Sequence, residues 1–469
     1  MTMKTKFERV GALAAAVAIA SLGMAGAANA DPQAGFNVPD SGKPVSLTLH
    51  KHEGGQVAQE YTGKAEKTPL GNPVAGVKFK IQQVGTMVGG ECVAPSLQSA
   101  AGWEAISKAT IESVCEPKGA TSVEVVTKKD GSTERVSLKQ GLYKVTETDP
   151  GTNLVATAAV PFLVALPMPI AKTNEWDYDV VAYPKNELTT PGKITKEAGE
   201  PRKFIPGTVL DWTVKTELPK VDFAYTEISL IDSLPAGLKF DEVVSVKFGG
   251  TLLEAGDFDN AATIKLSEQG LKKVNALLQA ADKALDVVVV LRTEVTKDAK
   301  GALENEVRLS LNGKPGDPGK GKSYWGTLEL TKREKGTSTV LPNALFSIYL
   351  GKCEAVGQGA KVVAEGLKTN ADGKFTQTLY IGTKESDKMD YCVKETAAPA
   401  GYILDTTGVD VTLTATDVAT VKTVSFDNVK VTGPDLPLTG AQGTALLTGA
   451  GLLLFGLGAG AVYAARRRS

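Results

Sequence analysis

Leu328-Glu329-Leu330-Thr331-Lys332-Arg333-Glu334 alternates apolar and polar residues until a lysine falls on the apolar parity, and Leu47-Thr48-Leu49-His50-Lys51-His52-Glu53 repeats the pattern far upstream. Such alternation is that of a strand with one buried face, on which Leu328, Leu330 and Lys332 stand together. Each copy is followed by a turn and an apolar strand, Pro73-Val74-Ala75-Gly76-Val77-Lys78-Phe79 and Pro342-Asn343-Ala344-Leu345-Phe346-Ser347-Ile348. Later, Tyr143-Lys144-Val145-Thr146-Glu147-Thr148 matches Tyr391-Cys392-Val393-Lys394-Glu395-Thr396. Two copies of one β fold are therefore expected, with a different domain between them.

The rest of the chain supports a mainly β reading. Segments rich in Val, Ile, Thr and aromatics, such as 122–126, 209–215, 285–293 and 421–431, are separated by Gly, Pro, Asn and Asp, the pattern of tandem immunoglobulin-like β-sandwiches. Two helices are expected, around 96–108 and 267–284; in the second, Leu271, Val274, Leu277, Leu278 and Ala281 recur at helical spacing behind Ser267. Boundaries near Asn186 and within 313–322 give domains over 31–186, 187–322 and 323–432. Gly316-Asp317-Pro318-Gly319-Lys320-Gly321-Lys322-Ser323 in the second boundary fits a phosphate-loop expression. Phosphate binding needs a helix behind the loop, whereas a strand follows here, so a flexible Gly/Pro linker is expected. Asn370-Ala371-Asp372-Gly373 reads as a hairpin turn and not a calcium loop.

The two ends of the chain locate it. Lys4, Lys6 and Arg9 precede an apolar stretch and the small residues Ala28-Asn29-Ala30, a secretory signal peptide over 1–30. At the other end, Leu436-Pro437-Leu438-Thr439-Gly440 is followed by an apolar run from Thr444 to Ala465 and by Arg466-Arg467-Arg468. At about 1.5 Å per helical residue that run reaches roughly 33 Å, enough for a transmembrane helix within 441–469, with the arginines on the cytoplasmic side. With 52 basic against 53 acidic residues there is no basic field for nucleic acid. Cys92 with Cys115 and Cys353 with Cys392 each fall within one expected domain, and export permits one disulfide in each. His50 and His52 are expected to face solvent; they make neither a metal site nor a hydrolase triad, and neither metal nor cofactor is expected.

Glu395 shares the core parity of Tyr391 and Val393, and an ionised carboxyl there costs several kcal/mol unless protonated or paired. Lys332 poses the same problem, and Asn428 follows Phe426-Asp427 in the last strand. Lysine, carboxyl and asparagine facing one core are the three groups needed for an intramolecular isopeptide bond.

With these residues the chain resembles a shaft (backbone) pilin of Gram-positive bacteria over essentially its whole length. The resemblance implies collagen-adhesin-like domains of B-type (CnaB-like), A-type (CnaA-like) and B-type in that order, and self-catalysed internal bonds in place of enzyme activity. It assigns Lys332, Asn428 and the helper Glu395 in the third domain, and Lys51, Asn186 and Glu147 in the first. In the middle domain Asp232 is the helper and Asn305 the acceptor, while strand parity with Ile194 favours Lys196 and the position after Pro191 favours Lys193; both lysines are carried. Trp176-Asp177-Tyr178-Asp179-Val180-Val181-Ala182-Tyr183-Pro184-Lys185-Asn186 resembles the pilin motif, with Ala182 where a valine is common. The resemblance then implies that a class C sortase cleaves after Thr439 and joins it to Lys185 of the next identical subunit, with a final transfer to cell-wall peptidoglycan. Minor pilins and host surface receptors are the further partners it implies, and cell-surface display is the expected location. A singly displayed wall-anchored adhesin, or a minor tip or base pilin, is the alternative reading of the same domains.

Overall fold

The computed structural model describes residues 37–55 and 71–433. The signal peptide expected at 1–30, the sorting motif Leu436 to Gly440 and the apolar segment behind it lie outside the described residues. The described chain divides into two compact units, one running to Trp325 and including Tyr380–Asp387, the other made of Gly326–Leu379 and the residues from Lys388 onward.

In the first unit the chain begins with a sheet ordered Asp179–Ala182, Val45–Leu49, Val136–Leu138 and another ordered Phe162–Leu166, Gly141–Asp149, Lys78–Val84, Ser122–Val126. Leu47, Leu49, Phe79, Ile81, Tyr143 and Val145 share their core, each burial contributing about 1.5–3 kcal/mol. Val45–Leu49 runs parallel to Asp179–Ala182, Leu47 opposite Val180, so an early and a late strand lie side by side. The pairing continues in a short sheet, where His52 stands opposite Lys185 and Glu53 opposite Asn186.

A second sandwich follows in the same unit. One sheet is ordered Thr195–Ala198, Thr208–Leu218, Leu285–Val295, Leu238–Phe248, Thr251–Leu252; the other holds Thr263–Lys265, Ile228–Ser233, Gly301–Leu311 and the opening residues of Gly319–Glu334. The expected helices are Ala100–Lys108, capped by Ser99, and Glu268–Ala280, where the Ser267 hydroxyl accepts from Gly270 N–H.

The stretch read as a flexible linker is strand from Gly319 onward, with Gly321 opposite Asn305 and Ser323 opposite Leu303. Its glycines serve close approach and not flexibility. A Cβ on Gly319 would stand 2.7 Å from the Ile194 carbonyl oxygen, and one on Gly321 would stand 2.8 Å from that of Lys196 and 3.0 Å from the Trp212 ring. Composition alone does not separate these two uses of glycine.

In the second unit the remaining residues of Gly319–Glu334 pair in parallel with Lys422–Asn428, Lys332 opposite Phe426 and Glu334 opposite Asn428. The other sheet is ordered Val362–Lys368, Leu345–Leu350, Lys388–Ala397, Val409–Thr414. Asn370–Gly373 is the expected turn, closed by Gly373 N–H to Asn370 C=O at 2.9 Å with Gly373 at φ 68°.

Candidate cross-linking sites

Among the described residues three lysines are buried: Lys51, Lys196 and Lys332 are at most 3 % exposed. Removing an ammonium from water is costly, so the groups around each matter.

Lys51 Nζ lies 2.9 Å from Glu147 Oε2 and 2.5 Å from Asn186 Oδ1, while Asn186 Nδ2 donates to Glu147 Oε1 at 2.8 Å. One carboxyl thus holds both the amine and the amide. The Asn186 carbonyl oxygen also accepts from Ala159 N–H at 2.7 Å. The Phe79 ring, 5.4 Å from the amine, forms an apolar wall. Burial pushes the Lys51 amine down to about 8, against the opposing pull of Glu147.

The second unit repeats the arrangement. Lys332 Nζ is hydrogen-bonded to Asn428 Oδ1 and lies 3.3 Å from Glu395 Oε1, and Asn428 Nδ2 donates to that same oxygen at 2.9 Å. Glu395 Oε2 accepts from Asp405 N–H at 3.0 Å, which fixes the carboxyl plane. Phe426 and Phe346 stand 5.5 and 6.0 Å from the amine. Burial lowers the Lys332 amine from its ordinary range.

In the middle sandwich the two candidate lysines lie differently. Lys193 is exposed, whereas Lys196, on the parity of buried Ile194, points inward and pairs with Asp232. Lys193 lies in the irregular segment after Pro191, before the strand begins at Thr195. Asn305 Nδ2 donates to Asp232 Oδ2 at 3.4 Å, and buried Asn305 Oδ1 has no hydrogen-bond partner among the described residues. Burial pushes Lys196 down to about 8 and raises Asp232 above the usual carboxylate range, each opposed by the other's charge. The Trp212 ring lies 5.3 Å from the amine.

Each cluster sets a buried lysine against a carboxyl that also accepts from an asparagine amide. Burial pushes each lysine toward its neutral, nucleophilic form.

Lys185 differs. It is half-buried and shares a strand with fully buried Asn186, so the two side chains leave opposite faces. The aromatics before it are pinned: Trp176 packs on Trp103 with centroids 4.9 Å apart, the Tyr178 hydroxyl accepts from Asp40 N–H at 2.7 Å, and Tyr183 packs on His50 at 5.5 Å. His50 is thus tied to the motif and half-buried, not simply solvent-facing. Pro184 is buried and its carbonyl accepts from His52 N–H at 3.2 Å.

The cysteines form Cys92–Cys115 and Cys353–Cys392 disulfides. Among the described residues the sole group of three with metal-ligating types is Cys353, Cys392 and Asp410, and its two sulfurs are already bonded to each other. Sequence reasoning missed Gly321, and also Gly131 and Gly373, whose added Cβ would stand 2.4 and 2.8 Å from the Lys51 and Lys332 carbonyl oxygens. The signal is a T-x-x-D-G shared by the two copies, at 127–131 and 369–373.

Residues 42–187 match the family model of the Gram-positive pilin subunit D1, N-terminal domain; residues 326–428 match that of a prealbumin-like fold domain; residues 428–469 match the LPXTG cell wall anchor motif. The chain is 27% identical to fimbrial subunit type 2 of Actinomyces naeslundii, covering 98% of this chain and 96% of that protein. It is 28% identical to fimbrial subunit type 1 of Actinomyces viscosus, covering 97% and 96%. The solved full-length RrgB pilus protein of Streptococcus pneumoniae shares the fold at a TM-score of 0.50 and 15% identity, covering 84% of this chain and 99% of that one.

Proposed function

We propose that this chain, a Gram-positive pilin subunit anchored at the cell surface through its LPXTG motif, is the repeating unit of a covalent fibre. A class C sortase cuts the Thr439–Gly440 amide, and the Lys185 amine of the next subunit attacks the Thr439 carbonyl carbon. A new amide forms and the segment from Gly440 onward is released. Transfer of the last subunit to peptidoglycan, association with minor pilins and adhesion to host surfaces belong to the same reading. So does a division into three domains, over 31–186, 187–322 and 323–432.

The observation that carries this reading is the pair Lys185 and Asn186. One side chain is committed inward to a buried lysine and carboxyl, and its neighbour leaves the opposite face of the strand, behind a run of pinned aromatics.

Within each domain, neutral lysine Nζ attacks the asparagine Cγ while the protonated carboxyl polarises the amide. The carboxyl gives its proton to the leaving nitrogen and takes one from Nζ, the Cγ–Nδ2 bond breaks, and ammonia departs. The bonds are Lys51–Asn186, Lys196–Asn305 and Lys332–Asn428. Tandem mass spectrometry of purified fibres is expected to find Thr439 joined to Lys185, and Lys185→Ala to abolish the high-mass ladder on denaturing gels. A ladder that survives the substitution removes Lys185 from this role.

A further inference from the structure

We propose that the T-x-x-D-G turns Thr127 to Gly131 and Thr369 to Gly373 are positioning devices that hold the reactive lysines of the first and third domains by their backbones. The proposal rests on the internal-bond reading above.

The two turns make the same contacts residue for residue. Lys51 N–H donates to Gly131 C=O at 2.8 Å and its carbonyl accepts from Val74 N–H at 2.9 Å; Lys332 N–H donates to Gly373 C=O at 2.7 Å and its carbonyl accepts from Leu341 N–H at 2.9 Å. Both polar groups of each lysine backbone are thereby fixed, one by the turn and one by the segment that follows the lysine strand. The threonine joins those two segments. Thr127 Oγ1 donates to Val74 C=O at 2.8 Å and accepts from Val77 N–H at 3.0 Å, and Thr369 Oγ1 donates to Leu341 C=O at 2.9 Å and accepts from Ala344 N–H at 2.9 Å. Val74 and Leu341 are thus equivalent, and the prolines Pro73 and Pro342 are not.

The glycine is obligatory at φ 76° in one copy and 68° in the other, with no room for a Cβ against the lysine carbonyl. The middle domain has no such turn: Lys196 lies in a regular ladder opposite Val214. Yet it too has a glycine against its carbonyl, Gly321, supplied by a strand of the other sheet. The same contact reached by two routes argues that the backbone position of the lysine is what is being held.

The chemical reason is the length of the side chain. Lysine reaches its target through a flexible stem, and a misplacement of about 1 Å can cost on the order of 100-fold in rate. Thr127 and Thr369 are hydrogen-bonded to backbone groups beside the lysine and not to the reacting groups, so they position without taking part in the proton transfers.

The test is Thr369→Val, which keeps the shape and removes the hydroxyl, beside Thr369→Ser, which keeps the hydroxyl. Both are made in the full mature chain. Peptide mapping of freshly folded protein follows Lys332–Asn428 bond formation, with Lys196–Asn305 in the same molecule as control and the Cys353–Cys392 disulfide and near-ultraviolet circular dichroism reporting the fold. The expected result is a folded chain in which Thr369→Val slows the third-domain bond at least tenfold, Thr369→Ser restores it, and the middle bond is complete throughout. Thr127→Val, read at Lys51–Asn186, repeats the test in the other copy. Bonding by both valine variants at the parent rate overturns the proposal and leaves the internal-bond reading standing. So does loss of fold in both, which makes the turn a folding element only. A parent chain with no ammonia loss at any of the three sites sinks the internal-bond reading itself.

Discussion

The lysine clusters of the first and middle sandwiches use the same residue types but join different parts of their domains. In the first, Lys51 and Asn186 lie on neighbouring parallel segments, and Glu147 comes from the other sheet. The third follows the same plan, with Lys332 and Asn428 on paired strands and Glu395 opposite. In the middle one Lys196 stands alone on an edge strand, while Asp232 and Asn305 share the other sheet. A bond of the first kind locks an early strand to a late one; a bond of the second kind locks one sheet to the other. The choice of Glu or Asp follows. Glu147 and Glu395 reach across to a lysine and asparagine that are side by side, whereas Asp232 sits beside its asparagine and the lysine comes to it.

The largest test of this contrast removes the bonds singly. Asn428→Ala and Asn305→Ala are each expected to lose about 4–5 kcal/mol, the chain-entropy value for cross-links closing loops of about 100 residues, read from urea midpoints. Hydrogen exchange then separates the two plans. Losing the third-domain bond is expected to expose amides of Lys422–Asn428, and losing the middle bond those of Thr195–Ala198, which has a single neighbouring strand. Equal exchange at both places in both variants breaks the contrast.

A smaller effect concerns pH. In Asn305→Ala and Asn186→Ala the lysines stay buried and unreacted, with amines lowered to about 8 in the folded chain. Below that pH both folded and unfolded chains carry the proton, and the full burial cost is present. Between about 8 and the ordinary lysine value the unfolded chain holds more protons, so stability rises with pH, by at most about 3 kcal/mol. Urea midpoints that fall over this window mean the buried ion pair is net stabilising, and a rise in one variant alone separates the two clusters.

Gly321→Ala comes next, at about 1–3 kcal/mol of overpacking with slowed bonding at Lys196 and undisturbed bonding at Lys332, seen by peptide mapping. The smallest change is the loss of a helix cap. Ser99→Ala in the first sandwich and Ser267→Ala in the middle one are each expected to cost about 1 kcal/mol by thermal unfolding, since each hydroxyl satisfies one glycine N–H.

Much of this was legible because a charged residue on an apolar parity is hard to place by chance. Lys332 and Glu395 declared themselves by alternation, and the repeat between the two copies, with the resemblance, carried the reading to Lys51 and Glu147. Lys193 and Lys196 stayed unresolved because the strand begins only at Thr195 and parity has no meaning before it. Gly319 and Gly321 were misread because glycine is equally suited to a mobile linker and to a strand pressed on another backbone, and only the neighbour at 2.8 Å decides between them. What the turns at Gly131 and Gly373 hold was hidden for a related reason. Asp-Gly marks a turn wherever it occurs, and nothing local says that its carbonyl reaches a lysine far away in sequence.

Lys185 and Asn186 stand side by side at the close of the first domain, and under the proposed linkage this decides what stretches. Tension entering at Lys185 and leaving at Thr439 bypasses the backbone enclosed by the Lys196–Asn305 and Lys332–Asn428 bonds. Extensible chain is then about 50 residues, or about 170 Å at full stretch, out of about 250 between the two linkage points. The first domain hangs beside this path and carries no load, so its own bond guards a pendant against proteases while the other two keep the fibre short.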